Sequence, residues 1–318
     1  MKGYLMLTRR SFALMGAAFG TSAALPAFAR APLGVTLPSF HRVKVGTTEV
    51  TALLDGVLAL SPDYFSGVDP ANMAAILESV GQDSTLETPI NTFVVNTETG
   101  TYLVDAGLGG AQLFGPGLGN TLANLTAVGI TPDQIDGVIL THAHPDHAEG
   151  LVDAEGKAVF PNAEIVVHEA EMKFWGDDAI LAQAPDSAKG LFESARRTLG
   201  AYADRTRQVA ESEVFPGLTL KHAPGHTMGH AVLHIASGDQ QMMIMGDTLH
   251  NIAIHTAVPE AGFGFDTDAT LAAQSRRKLL DMAAADGILT AFTHVNFPGF
   301  GKFKAKDSGF VYLPADWV

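Results

Sequence analysis

Residues 141–147 read Thr141-His142-Ala143-His144-Pro145-Asp146-His147, so four side chains in seven residues are able to bind a metal, in the pattern His-x-His-x-Asp-His. Three imidazoles and a carboxylate packed this closely are costly in a core unless something compensates them, and a bound cation does so. Residues i and i+2 of an extended segment project the same way, so His142 and His144 are able to grip one ion. Pro145 blocks helix until after itself. Asp146 and His147 then open the next element and face a second ion.

The same arrangement recurs downstream. His226, Asp247 and His294 each follow a short apolar run of strand type: Leu218–Lys221, Met242–Met245 and Ile288–Phe292, as Val138–Leu140 precedes His142. Strand ends along one sheet edge converge even when they are distant in sequence. His222 and His230 flank His226, so spacing alone does not single it out. The chain has no cysteine, so a metal site must be built from His, Asp and Glu. Five imidazoles and two carboxylates suit Zn²⁺ first, with Mn²⁺, Fe²⁺ and Co²⁺ as alternatives.

At 318 residues, 47% hydrophobic and 17% charged, the chain has ample length for a large core. Its net charge of −14 disfavours nucleic acid and anionic membrane as partners. The N-terminus reads as an export signal: Arg9-Arg10, a weakly apolar run to Leu25, then Ala27-Phe28-Ala29 as a small-x-small cleavage site. Thr8-Arg9-Arg10-Ser11-Phe12 resembles a bacterial twin-arginine signal. Residues 1–29 are therefore expected to be a cleavable signal read by the twin-arginine machinery, and 30–318 a single periplasmic or secreted domain without stable membrane insertion.

Local signals place the elements. Asp55-Gly56 between two β-type runs is expected to be a tight hairpin turn. Asp69-Pro70 starts a helix whose face is Met73, Ile76, Leu77 and Val80. Asp268 caps another that stops at Gly287. Residues 169–204 read as mainly helical, with Phe192, Ala195, Leu199 and Tyr202 at core spacing.

The motif His142-x-His144-x-Asp146-His147 with His226, Asp247 and His294 resembles the metallo-β-lactamase-fold hydrolases. That resemblance implies an α/β fold, an αββα sandwich of two mixed β-sheets flanked by helices. It assigns His142, His144 and His226 to one ion and Asp146, His147 and His294 to the other, with Asp247 between them. Gly225-His226-Thr227 fits the family pattern and favours His226 over its neighbours. Asp105, in Val-Asp-Ala-Gly, resembles the superfamily's early supporting aspartate. Thr88–Asn96, Leu113-Phe114-Gly115-Pro116, Phe174-Trp175, Gly246–His250 and Phe297-Pro298-Gly299 resemble the methyl parathion hydrolase-like branch, which is exported and dimeric. By that resemblance Phe114, Trp175 and Phe192 line a substrate pocket. Glu149 departs from the pattern and is expected near the pocket mouth, where a carboxylate would alter substrate entry.

Two ions sharing a water lower its pKa to about 7 and supply a hydroxide for attack on a carbonyl or phosphoryl centre. Asp247 would fix the pair and Asp146 would also carry a proton to the leaving group. The expected substrates are small, neutral, partly apolar esters, lactones or phosphotriesters. Competing readings are an oxidoreductase resembling the mononuclear-iron persulfide dioxygenases, a glutathione thioester hydrolase, and a non-catalytic metal-binding protein. The complete second set of ligands weighs against the first. The lack of a basic cluster beyond Lys302 and Lys304 weighs against the second.

Overall fold

Side-chain alternation along the strands sorts the core into layers. In Thr101–Val104, Tyr102 and Val104 face one way and Leu103 the other, as successive strand residues must. The computed structural model describes residues 39–316 apart from 83, 112 and 113, so the expected signal segment lies outside the described residues.

Two seven-stranded mixed sheets result. The first runs, in spatial order, through Phe40–Val45, Thr48–Leu60, Leu86–Asn96, Thr101–Val104, Gly137–Ile139, Glu164–His168 and Thr206–Val209. Its first four strands are antiparallel and the rest parallel. The second runs through Gly309–Pro314, Phe300–Lys306, Leu289–Ala291, Gln240–Ile244, Ala231–Ser237, Leu218–His222 and Ser212–Phe215. Its one parallel pairing joins Gln240–Ile244 to Leu289–Ala291. Phe93, Val104, Ile139, Leu220, Leu233 and Ile244 fill the space between the sheets. Outward-facing Leu103, Val138 and Ile165 pack with Leu125 and Leu199 of the helices Thr121–Ala127 and Asp186–Gly200. On the other outer face Val232 and Met243 meet Leu279, Leu280 and Ala283 of Ala269–Asp286. The layers are therefore α, β, β, α, as the resemblance implies.

The caps follow the sequence. Asp69 accepts from the Ala71 and Asn72 amides, and Asp268 from that of Leu271. Gly287 ends its helix in the left-handed region at φ 63°. Residues 169–200 form three helices, Glu169–Gly176, Asp178–Gln183 and Asp186–Gly200, divided at Asp177 and Pro185.

The expected turn at Asp55-Gly56 does not form. Thr48–Leu60 is one strand, with a register shift between Leu54 and Gly56. This is a β-bulge, which re-aims a side chain without ending the strand. The buried Asp55 carboxylate accepts from the amides of Leu108, Gly119 and Thr121 and from the Thr121 hydroxyl. It thereby ties both ends of the loop that carries Phe114 to the sheet.

Candidate metal centre

His142, Asp247 and His294 each lie three residues beyond a strand end, and His226 lies four beyond one. Local chemistry sets each loop. His144 is extended (φ −65°, ψ 155°) because Pro145 follows, and it precedes the one-turn helix Pro145–Ala148 that turns Asp146 and His147 inward. Gly225 has φ 127°, and a Cβ there would come within 2.0 Å of the Ala272 amide nitrogen. The chain can bring His226 this close to the helix Ala269–Asp286 only without a side chain before it.

The side chains converge in two lobes: His142, His144, His226 and Asp247 in one, and Asp146, His147 and His294 in the other. In the first, His226 Nε2 lies 3.0 Å from His144 Nδ1 and 3.2 Å from Asp247 Oδ2, and His142 Nε2 lies 3.8 Å from that oxygen. In the second, Asp146 Oδ2 is 3.5 Å from His147 Nε2 and 3.3 Å from His294 Nε2. Asp247 reaches both: Oδ1 is 3.1 Å from His147 Nε2 and Oδ2 is 3.2 Å from His294 Nε2. Ligands about 2.0–2.1 Å from a tetrahedral ion sit about 3.3 Å apart, so these spacings fit. His142 Nε2, His147 Nε2 and Asp247 Oδ1 are also buried without a hydrogen-bond partner. Orphaned buried polar atoms at one point are what a cation-binding site presents.

The other ring nitrogen of most ligands is held from behind. His147 Nδ1 donates to Asp105 Oδ2 at 2.7 Å, His226 Nδ1 to Asp266 Oδ1 at 2.9 Å and His294 Nδ1 to the Pro89 carbonyl at 2.8 Å. A proton on Nδ1 leaves the Nε2 lone pair facing the site. Asp105 also accepts from the Thr141 amide and hydroxyl. Glu171, fully buried, accepts from the Ala143 and Gly229 amides, the Thr227 hydroxyl and Trp175 Nε1. It fastens the loop of His142 and His144 to the loop of His226. His230 Nε2 accepts from the Asp247 amide at 3.0 Å.

Burial penalises charge on every group here, and the carboxylates overcome it at some histidines only. Against burial, Asp247, Asp146 and Asp105 hold His147 well above the ordinary imidazole range. Also against burial, hydrogen bonds to Asp247 and Asp266 raise His226 to about 9, and Asp247 with Asp146 raises His294 to about 10. Burial and the neighbouring imidazoles push His142 and His144 well below it. Asp146 and Asp247, although burial opposes it, lie well below the carboxylate range because of the facing histidines, His147 foremost. Protons and metal ions therefore compete for His147, His226 and His294.

A cavity opens over the two lobes. Its floor includes Asp146, Asp247 and His294, and its walls include Leu58, Tyr64, Phe114 and Phe263. Phe114 is 46% exposed at this rim. Trp175 and Phe192 are elsewhere: both are buried, packed edge-to-face at 4.7 Å, and line a neighbouring groove. Trp175 also meets the edge of His144 at 5.7 Å.

Glu149 is not at the mouth. It is buried and bonded to the Ser194 hydroxyl and Arg197, because the turn after His147 points it at the helix Asp186–Gly200. His250 belongs to the site as well: Nε2 lies 3.1 Å from Asp247 Oδ2, and the ring stacks on Phe263 at 3.8 Å. Its place three residues after a ligand was the only signal. Nothing in the sequence links Tyr64, Phe263 and Phe265 to the cavity.

A model of the metallo-beta-lactamase superfamily matches residues 86–294, and the chain belongs to that superfamily. It is a hydrolase of that superfamily built around a dinuclear His/Asp centre. The N-acyl homoserine lactonase of a Bacillus species is 27% identical over 228 residues, 66% of this chain and 82% of its own. AidC, a dizinc quorum-quenching lactonase solved with the product N-hexanoyl-L-homoserine, is 30% identical with a TM-score of 0.83, covering 89% of this chain and 99% of its own. The hydrolase AbOPH of the beta-lactamase superfamily is 29% identical with a TM-score of 0.84, covering 89% and 100%.

Proposed function

We propose that the protein is a dizinc lactonase that opens N-acylated homoserine lactones or lactones of like shape. The observation that carries this is a two-lobed, seven-ligand cluster under a cavity walled by Leu58, Tyr64, Phe114 and Phe263. Its likeness to the lactonases of the Bacillus species and AidC favours a lactone over other esters and over phosphotriesters. Two divalent ions supply Lewis acidity and a nucleophilic water when bound. Asp247, whose carboxylate faces the histidines of both lobes, would help hold both ions. The apolar walls strip water from a neutral substrate and hold its carbonyl over the cluster. Hydrolysis breaks the ring carbonyl–oxygen bond, adds hydroxide to the carbonyl carbon and returns a proton to the ring oxygen. The Asp146 carboxylate, 14% exposed toward the cavity, is placed to carry that proton. The Arg9-Arg10 leader supports export of the folded, loaded enzyme, and the family resemblance supports a homodimer.

The test is kcat/KM on acyl-homoserine lactones, p-nitrophenyl esters and methyl parathion, with metal content measured on the same sample. Lactones should lead, at two zinc ions per chain, and chelation should abolish turnover. One iron per chain with oxygen uptake and no ring opening would overturn the reading.

A further inference from the structure

Arg276 of the helix Ala269–Asp286 is 1% exposed, yet its hydrogen bonds go to backbone carbonyls and not to a carboxylate. Its Nε donates to Thr248 at 2.6 Å, and its Nη1 to Pro259 at 2.8 Å and Ala261 at 2.7 Å. Burial pulls its pKa down to about 10 against the opposing charges of Asp266 and Glu260, so it is a cation at neutral pH. Burying a cation against neutral acceptors is costly, and an apolar side chain would serve if position 276 had only to fill the core. We propose that Arg276 is a positioning residue for hydrolysis: it clips the two ends of the segment 248–261 together and thereby holds His250 and Phe263 in the cavity wall. This goes beyond the lactonase reading and does not depend on which ester the site opens.

The clip acts on both sides of the wall. Thr248 directly follows Asp247, so the first contact fixes the chain where it leaves the carboxylate that faces both lobes, two residues before His250. Pro259 and Ala261 precede Gly262–Phe263, the strand that pairs with Phe65–Ser66. Between these ends the His250 amide donates to His255 Nδ1 at 3.0 Å. Burial, and the Arg276 charge after it, hold His255 well below the ordinary imidazole range, so it stays neutral and keeps this acceptor. His250 and Phe263 then meet as stacked rings, with centroids 3.8 Å and planes 15° apart, and both line the cavity. His147, His226 and His294 are held from behind by Asp105, Asp266 and Pro89, none of which bonds to Arg276. Loss of the clip should therefore move the wall and leave the ligands in place.

The test compares the wild type with Arg276→Met, which fills the volume but leaves three carbonyls without donors, and with Arg276→Lys, which returns charge and donors without the fixed fork. On the fastest substrate of the panel, kcat/KM of Arg276→Met should fall about 100-fold with KM raised, at wild-type zinc content. Arg276→Lys should recover part of the loss. A merely structural role would shrink the active fraction and so lower kcat with KM unchanged. A second readout needs no metal. In metal-free protein the Phe263 ring should shift the His250 ring protons upfield in the NMR spectrum; Arg276→Met should lose that shift and Arg276→Lys should restore part of it. Should Arg276→Met fail to fold, His255→Leu removes the acceptor of the His250 amide without touching the buried cation, and should give the same lost shift and raised KM. An upfield shift kept in folded Arg276→Met, or a fall in kcat at unchanged KM, overturns the proposal. So does a loss of zinc, which would make Arg276 a support of the ligands instead. If no lactone is opened, the lactonase reading fails and the ring shift still decides this one.

Discussion

Replacing Asp105 by Asn separates a structural role for this residue from control of the second metal lobe. The substitution preserves shape, and Asn tolerates the left-handed backbone found here (φ 59°). What changes is hydrogen-bond direction. The carboxylate accepts from the Thr141 amide at 2.8 Å through Oδ1, and from the Thr141 hydroxyl at 2.8 Å and His147 Nδ1 at 2.7 Å through Oδ2. An amide keeps one acceptor oxygen and gains two donors. With that oxygen on the Thr141 amide, its NH₂ meets the Nδ1–H of His147. The imidazole relieves the clash by moving its proton to Nε2, the atom that faces Asp146 and Asp247. The flipped amide instead strands the buried Thr141 amide, at about 1–3 kcal/mol. Losses of this kind behind a ligand cost about 10–100-fold in metal affinity, or about 1.4–2.8 kcal/mol. His142, His144 and His226 make no hydrogen bond to Asp105. Titration of metal-free protein in chelator-buffered zinc should therefore show one site weakened 10–100-fold and the other unchanged, with kcat/KM falling alongside. Two sites of wild-type affinity in Asp105→Asn would refute the tautomer argument.

Three further outcomes follow from the geometry. In metal-free protein His226 and His294 have folded pKa values of about 9 and about 10, above the ordinary 6.5, so the stability they add is complete below about pH 6.5 and is lost as pH rises through 9 and 10. The Tm of chelator-treated protein should fall across that window while the stabilisation by added zinc grows, since the ligands must shed those protons; a metal-free Tm that rises instead would contradict it. Asp55→Ala strands the Leu108, Gly119 and Thr121 amides and should cost about 3 kcal/mol or more, read as a lower denaturation midpoint; an unchanged midpoint refutes the clamp. Gly225→Ala forces a Cβ into the backbone at Ala272 and should displace His226, lowering zinc content at the first lobe; wild-type zinc content would show that the loop can adapt.

The ligands were legible because each sits just past a strand, and strands of β-branched and apolar residues announce themselves locally. The four junctions at His142, His226, Asp247 and His294 needed only the further step that strand ends of an αββα sandwich share an edge. Asp55 was misread for a definite reason. Asp-Gly between apolar runs is a strong hairpin signal, and only tertiary structure shows that the carboxylate is held by four donors from the loop 108–121. Glu149 failed similarly, since adjacency to a ligand does not say which side of a turn a residue takes. Phe65–Ser66 pairs with Gly262–Phe263, bringing Phe263 and Phe265 toward Tyr64. No periodicity in either segment forecasts that pairing.

The site's rigidity comes from residues that need touch no metal. Loops are the mobile part of an α/β fold, yet ligands must be held within a few tenths of an ångström for two ions to be bound. Here buried carboxylates fasten them. Asp105 ties Thr141 to His147, Glu171 ties Ala143 to Thr227 and Gly229, and Asp266 ties His226 to Phe263. Glu171 also accepts from Trp175 Nε1, at the base of the side groove. One buried carboxylate thus joins the first metal lobe to the aromatic cluster of Phe174, Trp175 and Phe192.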